Sequence, residues 1–155
     1  MNDRYLYRAK RTDNGEWVEG NLVWSDDAVN DYKAIIIPTT DSNMFTRGGA
    51  RGDLGFENWC RVDPSTICQC TGLKDKNGKL IWENDIIDGH IKRGAAFYTC
   101  KVLWNECKAR FDVRAMECNC PMTLDECVDD ISVCGLDYAV IGNIFDNPEL
   151  LEVGE

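Results

Sequence analysis

A chain of 155 residues fits one domain or two very small ones, and 44% hydrophobic with 28% charged residues is enough for a core and a solvated surface. No run approaches the ~18 uninterrupted apolar residues of a membrane span, and the opening M-N-D-R-Y-L-Y-R-A-K-R has no apolar stretch of secretory type, so a membrane partner is not expected and a reducing cytoplasm is. The formal net charge of -10 lies wholly in the last 41 residues, which carry ten acids and no Lys or Arg; such a surface repels phosphate and argues against non-specific nucleic-acid binding.

Along the chain, strand patterns alternate with turn signals. Tyr5 to Ala9 is a short aromatic-rich strand, Asn14-Gly15 is a hairpin turn, and Glu16 to Trp24 returns as an alternating strand. The apolar run Ala34 to Pro38 reads as a buried strand ended by proline. Thr39 to Asn58 has four glycines and little periodicity and reads as a long loop; Arg47 and Arg51 are its groups for an acidic partner or an anion. Its glycines do not follow the spacing of a phosphate cradle.

After Val62-Asp63-Pro64 the strand pattern resumes. Thr66 to Thr71 leads to a second turn at Asn77-Gly78, then Leu80 to Trp82, a bend at Glu83-Asn84-Asp85, and a strand from Ile86 to Ile91. Ala95 to Trp104 and Ala109 to Met116 pair across a turn at Asn105 to Lys108. Pro121 to Val133 reads as a helix, with Thr123 as N-cap, Glu126 three residues on, and Leu124, Val128 and Ile131 on one face. Tyr138 to Ile144 closes the sheet, and Asp146-Asn147-Pro148 turns the chain to present Leu150 and Leu151. The expected architecture is all-β or β-dominated: residues 1–61 as an N-terminal hairpin region with its Gly-rich loop, and residues 62–155 as a small barrel with an acidic helical insertion and a C-terminal tail.

Nine cysteines are an odd number for a disulfide framework, and free thiols are expected. Two C-x-C pairs occur, Cys68/Cys70 and Cys118/Cys120. Residues i and i+2 share a strand face, so each pair offers two thiolates to one zinc ion. The spacing departs from that of zinc signatures, and burial as small apolar side chains is the preferred reading, with zinc as an alternative. The one histidine, His90, ends a predicted strand and has no nucleophile signature beside it. Asp85 is read as an acceptor of backbone N–H bonds in its turn rather than as half of an acid/base pair with Glu83. Trp82 and Trp104 belong to the core, whereas Trp17 and Trp24, on the N-terminal hairpin, are the candidates for a subunit or partner contact.

Three stretches together resemble the YopX family of bacteriophage and prophage proteins: R-A-K-R-T-D-N-G-E-W-V-E-G at Arg8 to Gly20, V-D-P-S-T-I-C-Q-C-T-G-L-K-D-K-N-G-K-L-I-W-E-N-D-I-I at Val62 to Ile87, and Y-A-V-I-G-N-I-F-D-N-P-E-L-L at Tyr138 to Leu151. The resemblance implies a β fold with a barrel of Src-homology-three type in the C-terminal half, a phage or prophage origin and a bacterial host cytoplasm. It implies no catalytic residue and no cofactor. Asn84 stands where the family usually has glycine, and asparagine is the best non-glycine residue at a positive φ. Cys68 and Cys70 are peculiar to this chain. The expected function is that of a non-enzymatic accessory protein that binds other proteins, as a homo-oligomer and with a host or phage protein as further partner. The alternatives are an acidic decoy or regulator directed at a host DNA-binding protein, and a zinc protein.

Overall fold

The computed structural model describes residues 3–25, 33–39, 44–48, 52–91, 96–115, 121–123 and 137–151, which form an all-β chain of thirteen strands interrupted by short 3-10 turns. It divides into two compact units, Tyr5–Gln69 and Met1–Arg4 with Cys70–Glu155.

The first unit contains β1 (Tyr7–Lys10), β2 (Trp17–Trp24), β3 (Ala34–Pro38), β4 (Met44–Arg47), β5 (Asp53–Phe56) and β6 (Cys60–Arg61). β6, β3, β2 and β1 lie side by side in that order, each pair antiparallel. The β1–β2 hairpin turns at Asn14-Gly15, where Gly15 takes φ 74°, the Asn14 side chain accepts the Glu16 N–H at 3.0 Å, and the Arg11 N–H reaches the Glu16 carbonyl at 2.9 Å. Ala9, Ala34, Ile36 and Val62 form the core, with Tyr7, Val18, Leu22 and Ile67 packed on it. Gly20 sits between β1 and β3, and a Cβ there would lie 2.1 Å from the Ile37 carbonyl oxygen.

The stretch Asp63-Pro64-Ser65-Thr66 ties β1 to the end of β6. Asp63 caps a 3-10 turn by accepting the Ser65 N–H at 2.9 Å and its hydroxyl at 2.7 Å, and these bonds hold its carboxyl below the usual range. The Thr66 hydroxyl accepts the Lys10 N–H at 2.9 Å and donates to the Asp63 carbonyl at 2.8 Å.

The second unit contains most of β7 (Cys68–Lys74), then β8 (Leu80–Trp82), β9 (Asp85–Ile91), β10 (Ala96–Asn105), β11 (Arg110–Ala115), β12 (Pro121–Thr123) and β13 (Asp137–Asn143). The last five form one antiparallel sheet in the order β12-β11-β10-β9-β13. Cys100 and Val102 on β10 and Phe111 and Val113 on β11 alternate inward, joined by Ile81, Ile87 and Tyr138 in a core that Leu73, Trp104 and Val140 flank. Trp104 and Phe111 meet edge to face with centroids 5.0 Å apart.

Two turns fasten this unit. In the β7–β8 turn, where Gly78 takes φ 80°, buried Asp75 accepts the N–H groups of Asn77 at 2.8 Å and Lys79 at 2.9 Å through one oxygen, and that of Val140, on β13, at 2.9 Å through the other. Beside it the Lys76 N–H donates to the Tyr138 carbonyl at 3.2 Å. Burial pushes the Asp75 carboxyl up, but the bonds from Val140, Lys79 and Asn77 and the Lys79 charge pull it further down, leaving it below the usual carboxylate range. In the β8–β9 turn, Asn84 takes φ 65°, its N–H reaches the Val102 carbonyl at 2.9 Å, and its own carbonyl accepts the Ile144 N–H at 3.1 Å. Buried Asp85 accepts the Trp82 N–H at 2.9 Å.

Three expectations are corrected. The C-terminal strands do not close into a barrel: the sheet is open, with β12 and β13 at opposite edges. The start of the expected helix, Pro121–Thr123, is a strand, because pairing with the free side of β11 through Arg114, Val113 and Asp112 overrides the local capping signal; the rest of that helix lies outside the described residues. The Thr39–Asn58 stretch is not all loop. Met44–Arg47 and Asp53–Phe56 pair as a two-stranded ribbon too short to show periodicity in the sequence.

Asp75→Ala strands three backbone donors and is expected to lower stability by about 3 kcal/mol, read as a fall in urea midpoint at unchanged slope. Because the folded carboxyl titrates below its unfolded value of about 4, the Asp75 contribution is complete above that pH and is lost as pH falls toward the folded value. Unfolding curves of Asp75→Asn should therefore lose part of the wild-type fall in stability between roughly pH 5 and 2. Gly20→Ala should cost at least ~2 kcal/mol, since the obstacle is backbone and cannot rotate away.

Candidate interaction surface

Several of the groups with chemical potential in the sequence are engaged in structural bonds. Asp85 and Asp75 hold turns as above. Asp112 is buried and takes the Asn105 side-chain amide at 2.6 Å and the Arg110 Nε at 3.0 Å, bracing the end of the β10–β11 hairpin. Cys68 and Cys70 are both fully buried; the Cys68 thiol donates to the Thr66 carbonyl at 3.4 Å and the Cys70 sulfur accepts the Gly72 N–H at 3.4 Å. Cys118 and Cys120 lie outside the described residues. Among the described residues, no three His, Cys, Asp or Glu side chains stand together as a metal site. His90 lies in β9, where its backbone pairs with Phe97 and Asp137.

Asp75 and Asp112 were assigned no role from the sequence. For Asp75 a signal existed: an Asp two residues before Asn-Gly is placed to accept the turn's N–H groups. For Asp112 none did, since an acid inside an alternating strand looks solvent-facing.

Trp17 and Trp24 both belong to β2, but they are seven residues apart, and the two-residue period puts them on opposite faces. Trp17 lies opposite Lys10, beneath two cations, with the Arg8 guanidinium 4.8 Å and the Lys10 ammonium 5.6 Å from its ring. That stacking fixes Trp17 within its own hairpin. Trp24 shares the core-side face with Val18 and Leu22, but at the strand's end it is 56% exposed, and its neighbour Val23 is 43% exposed on the other face.

Four more large hydrophobics are open in the same unit: Tyr5 at 70%, Trp59 just before β6 at 44%, and Met44 and Leu54 at 65% and 59%. The ribbon register pairs Met44 with Phe56 and Leu54 with Thr46, which places Met44 and Leu54 on one ribbon face. Arg47 sits in the ribbon opposite Asp53, and Arg51 lies outside the described residues. The apolar surface of the Tyr5–Gln69 unit is thus broader than the two tryptophans singled out from the sequence. Met44 and Leu54 were missed because they fall in the stretch read as loop.

Among solved structures, protein EF1440 from Enterococcus faecalis is similar, with 28% identity, a TM-score of 0.54, and coverage of 94% of this chain and 96% of that one. No curated protein matches the chain. No helix among the described residues is long and apolar enough to cross a membrane. Residues 6–152, nearly the whole length, match the YopX protein family, and the chain belongs to that family.

Proposed function

We propose that the protein is a non-enzymatic accessory factor of a phage or prophage, working in the bacterial cytoplasm by binding protein, and that it self-associates through the Tyr5–Gln69 unit. The observation that carries this reading is the set of exposed Val23, Trp24, Met44, Leu54 and Trp59 on one small unit. Large apolar side chains left open to solvent on one small unit support an interaction surface. The commitment of Asp75, Asp85 and Asp112 to turns and hairpin ends supports it from the other side.

One observation favours a second reading. The acidic surplus confined to the last 41 residues would suit a decoy for a host DNA-binding protein. Capture from host lysate separates the two. Under the leading reading the bound protein stays bound when duplex DNA is added, whereas a decoy's target is competed away. Stoichiometric zinc in the purified protein would instead favour the zinc alternative. Light scattering should give a mass above that of the 17.6 kDa monomer. A concentration-independent monomer that captures nothing would refute the proposal.

A further inference from the structure

We infer that Asn77 is a site of spontaneous covalent modification, deamidation through a cyclic imide, and that the fold leaves it open to this reaction while shielding Asn14, which is followed by the same residue.

The chain has two Asn-Gly steps, Asn14-Gly15 and Asn77-Gly78, and each lies in a hairpin turn. Glycine after asparagine lets the next backbone nitrogen approach the side-chain amide, because no Cβ stands in the way. The reaction needs nothing but water. The glycine nitrogen gives up its proton and bonds to the asparagine Cγ, the bond from Cγ to the amide nitrogen breaks, and ammonia leaves. Water then opens the five-membered ring at one of its two carbonyls. One opening gives an aspartyl residue, the other an isoaspartyl residue whose main chain runs through the former side-chain carbon.

In most respects the two sites are matched. Both asparagines and both glycines are exposed, and the glycines take φ 74° and 80° with open space where a Cβ would stand. Each attacking nitrogen is tied by one turn bond, Gly15 to the Arg11 carbonyl at 3.0 Å and Gly78 to the Asp75 carbonyl at 2.9 Å. The difference lies at the amide under attack. The Asn14 side-chain oxygen accepts the Glu16 N–H at 3.0 Å, and its nitrogen donates to the Glu16 carboxylate at 2.8 Å. Both bonds must come loose before Cγ can turn toward Gly15. Asn77 is bonded through its backbone N–H to Asp75, and among the described residues nothing holds its side-chain amide.

The place of Asn77 gives the modification a consequence. One Asp75 oxygen holds the Asn77 and Lys79 N–H groups and the other holds that of Val140 on β13. An isoaspartyl link adds a carbon to the main chain between the two N–H groups that share one oxygen, so their present spacing is lost. It also sets a new carboxylate beside a buried one. The hold of the β7–β8 turn on β13 loosens as the protein ages.

Incubation of the wild-type protein in mildly alkaline buffer, folded and in urea, followed by peptide mapping with mass spectrometry, tests this without any variant. In the folded chain Asn77 should convert about tenfold or more faster than Asn14, the margin that two hydrogen bonds of ordinary net strength supply. In urea the two should convert at comparable rates. Conversion of Asn14 as fast as Asn77 in the folded chain would overturn the inference. So would an Asn77 that stays intact while the unfolded chain converts, or a preference for Asn77 that is equally large in urea. The isoaspartyl fraction, separated by chromatography, should exchange its Val140 amide faster than the unmodified protein. Unchanged exchange there would overturn the loosening.

Discussion

The carboxylate of Asp75 joins elements 65 residues apart in sequence, through the Val140 N–H. β13 is an edge strand, and an edge strand leaves one row of its N–H and carbonyl groups without a ladder partner. The β7–β8 turn answers that need at two adjacent points. Asp75 takes the Val140 N–H, and the Lys76 N–H fills the Tyr138 carbonyl. The other Asp75 oxygen holds the turn's own shape through Asn77 and Lys79. One buried charge, satisfied by three backbone donors, thus shapes a hairpin and docks it on a sheet edge. Its burial is tolerable because those bonds favour the ionised form.

The same logic explains what the family-bearing stretches do. The middle and last of the three, Val62 to Ile87 and Tyr138 to Leu151, meet in the second unit at Asp75 with Val140, at Lys76 with Tyr138, at Asn84 with Ile144, and along the ladder that pairs Asp85, Ile86 and Ile87 with β13. Asn143 adds a local lock by accepting the Phe145 and Asp146 N–H groups at 3.0 Å each. In the first unit, Asp63 and Thr66 perform a similar task for β1. Asp63, Asp75 and Asp85, which look like chemistry in the sequence, serve as turn and edge fasteners. Among the described residues, the exposed large apolar side chains lie on β2, on the β4–β5 ribbon and on the approach to β6, and also include Tyr5 and Ile141.

Most strands were legible because their signals are local. Asn-Gly turns and alternating residues mark the β1–β2 and β7–β8 hairpins, and Ala34 to Pro38 is long enough to read as a buried run. Two things were not legible, because pairing partners rather than local pattern set both. The ribbon strands have four residues each, too few to display a period, and become strands only by pairing with one another. Pro121–Thr123 carries a helix-start pattern, but the open side of β11 claims it. Barrel closure is likewise a property of which edges meet, and the turn spacing that suggested a barrel fits an open sheet capped at one edge equally well. Of the candidate surface, Trp24 was legible from its place at the end of an amphipathic strand. The opposite orientation of Trp17 follows from parity alone, whereas its stacking under Arg8 and Lys10 depends on the cross-strand register.

Native-state amide exchange at neutral pH tests most directly whether Asp75 fastens the second unit. The Val140, Asn77 and Lys79 amides should be protected to the level of the β9–β10 ladder and open together with it. Exchange of these three at the rate of solvent-exposed turn amides, with the ladder still closed, would contradict that role.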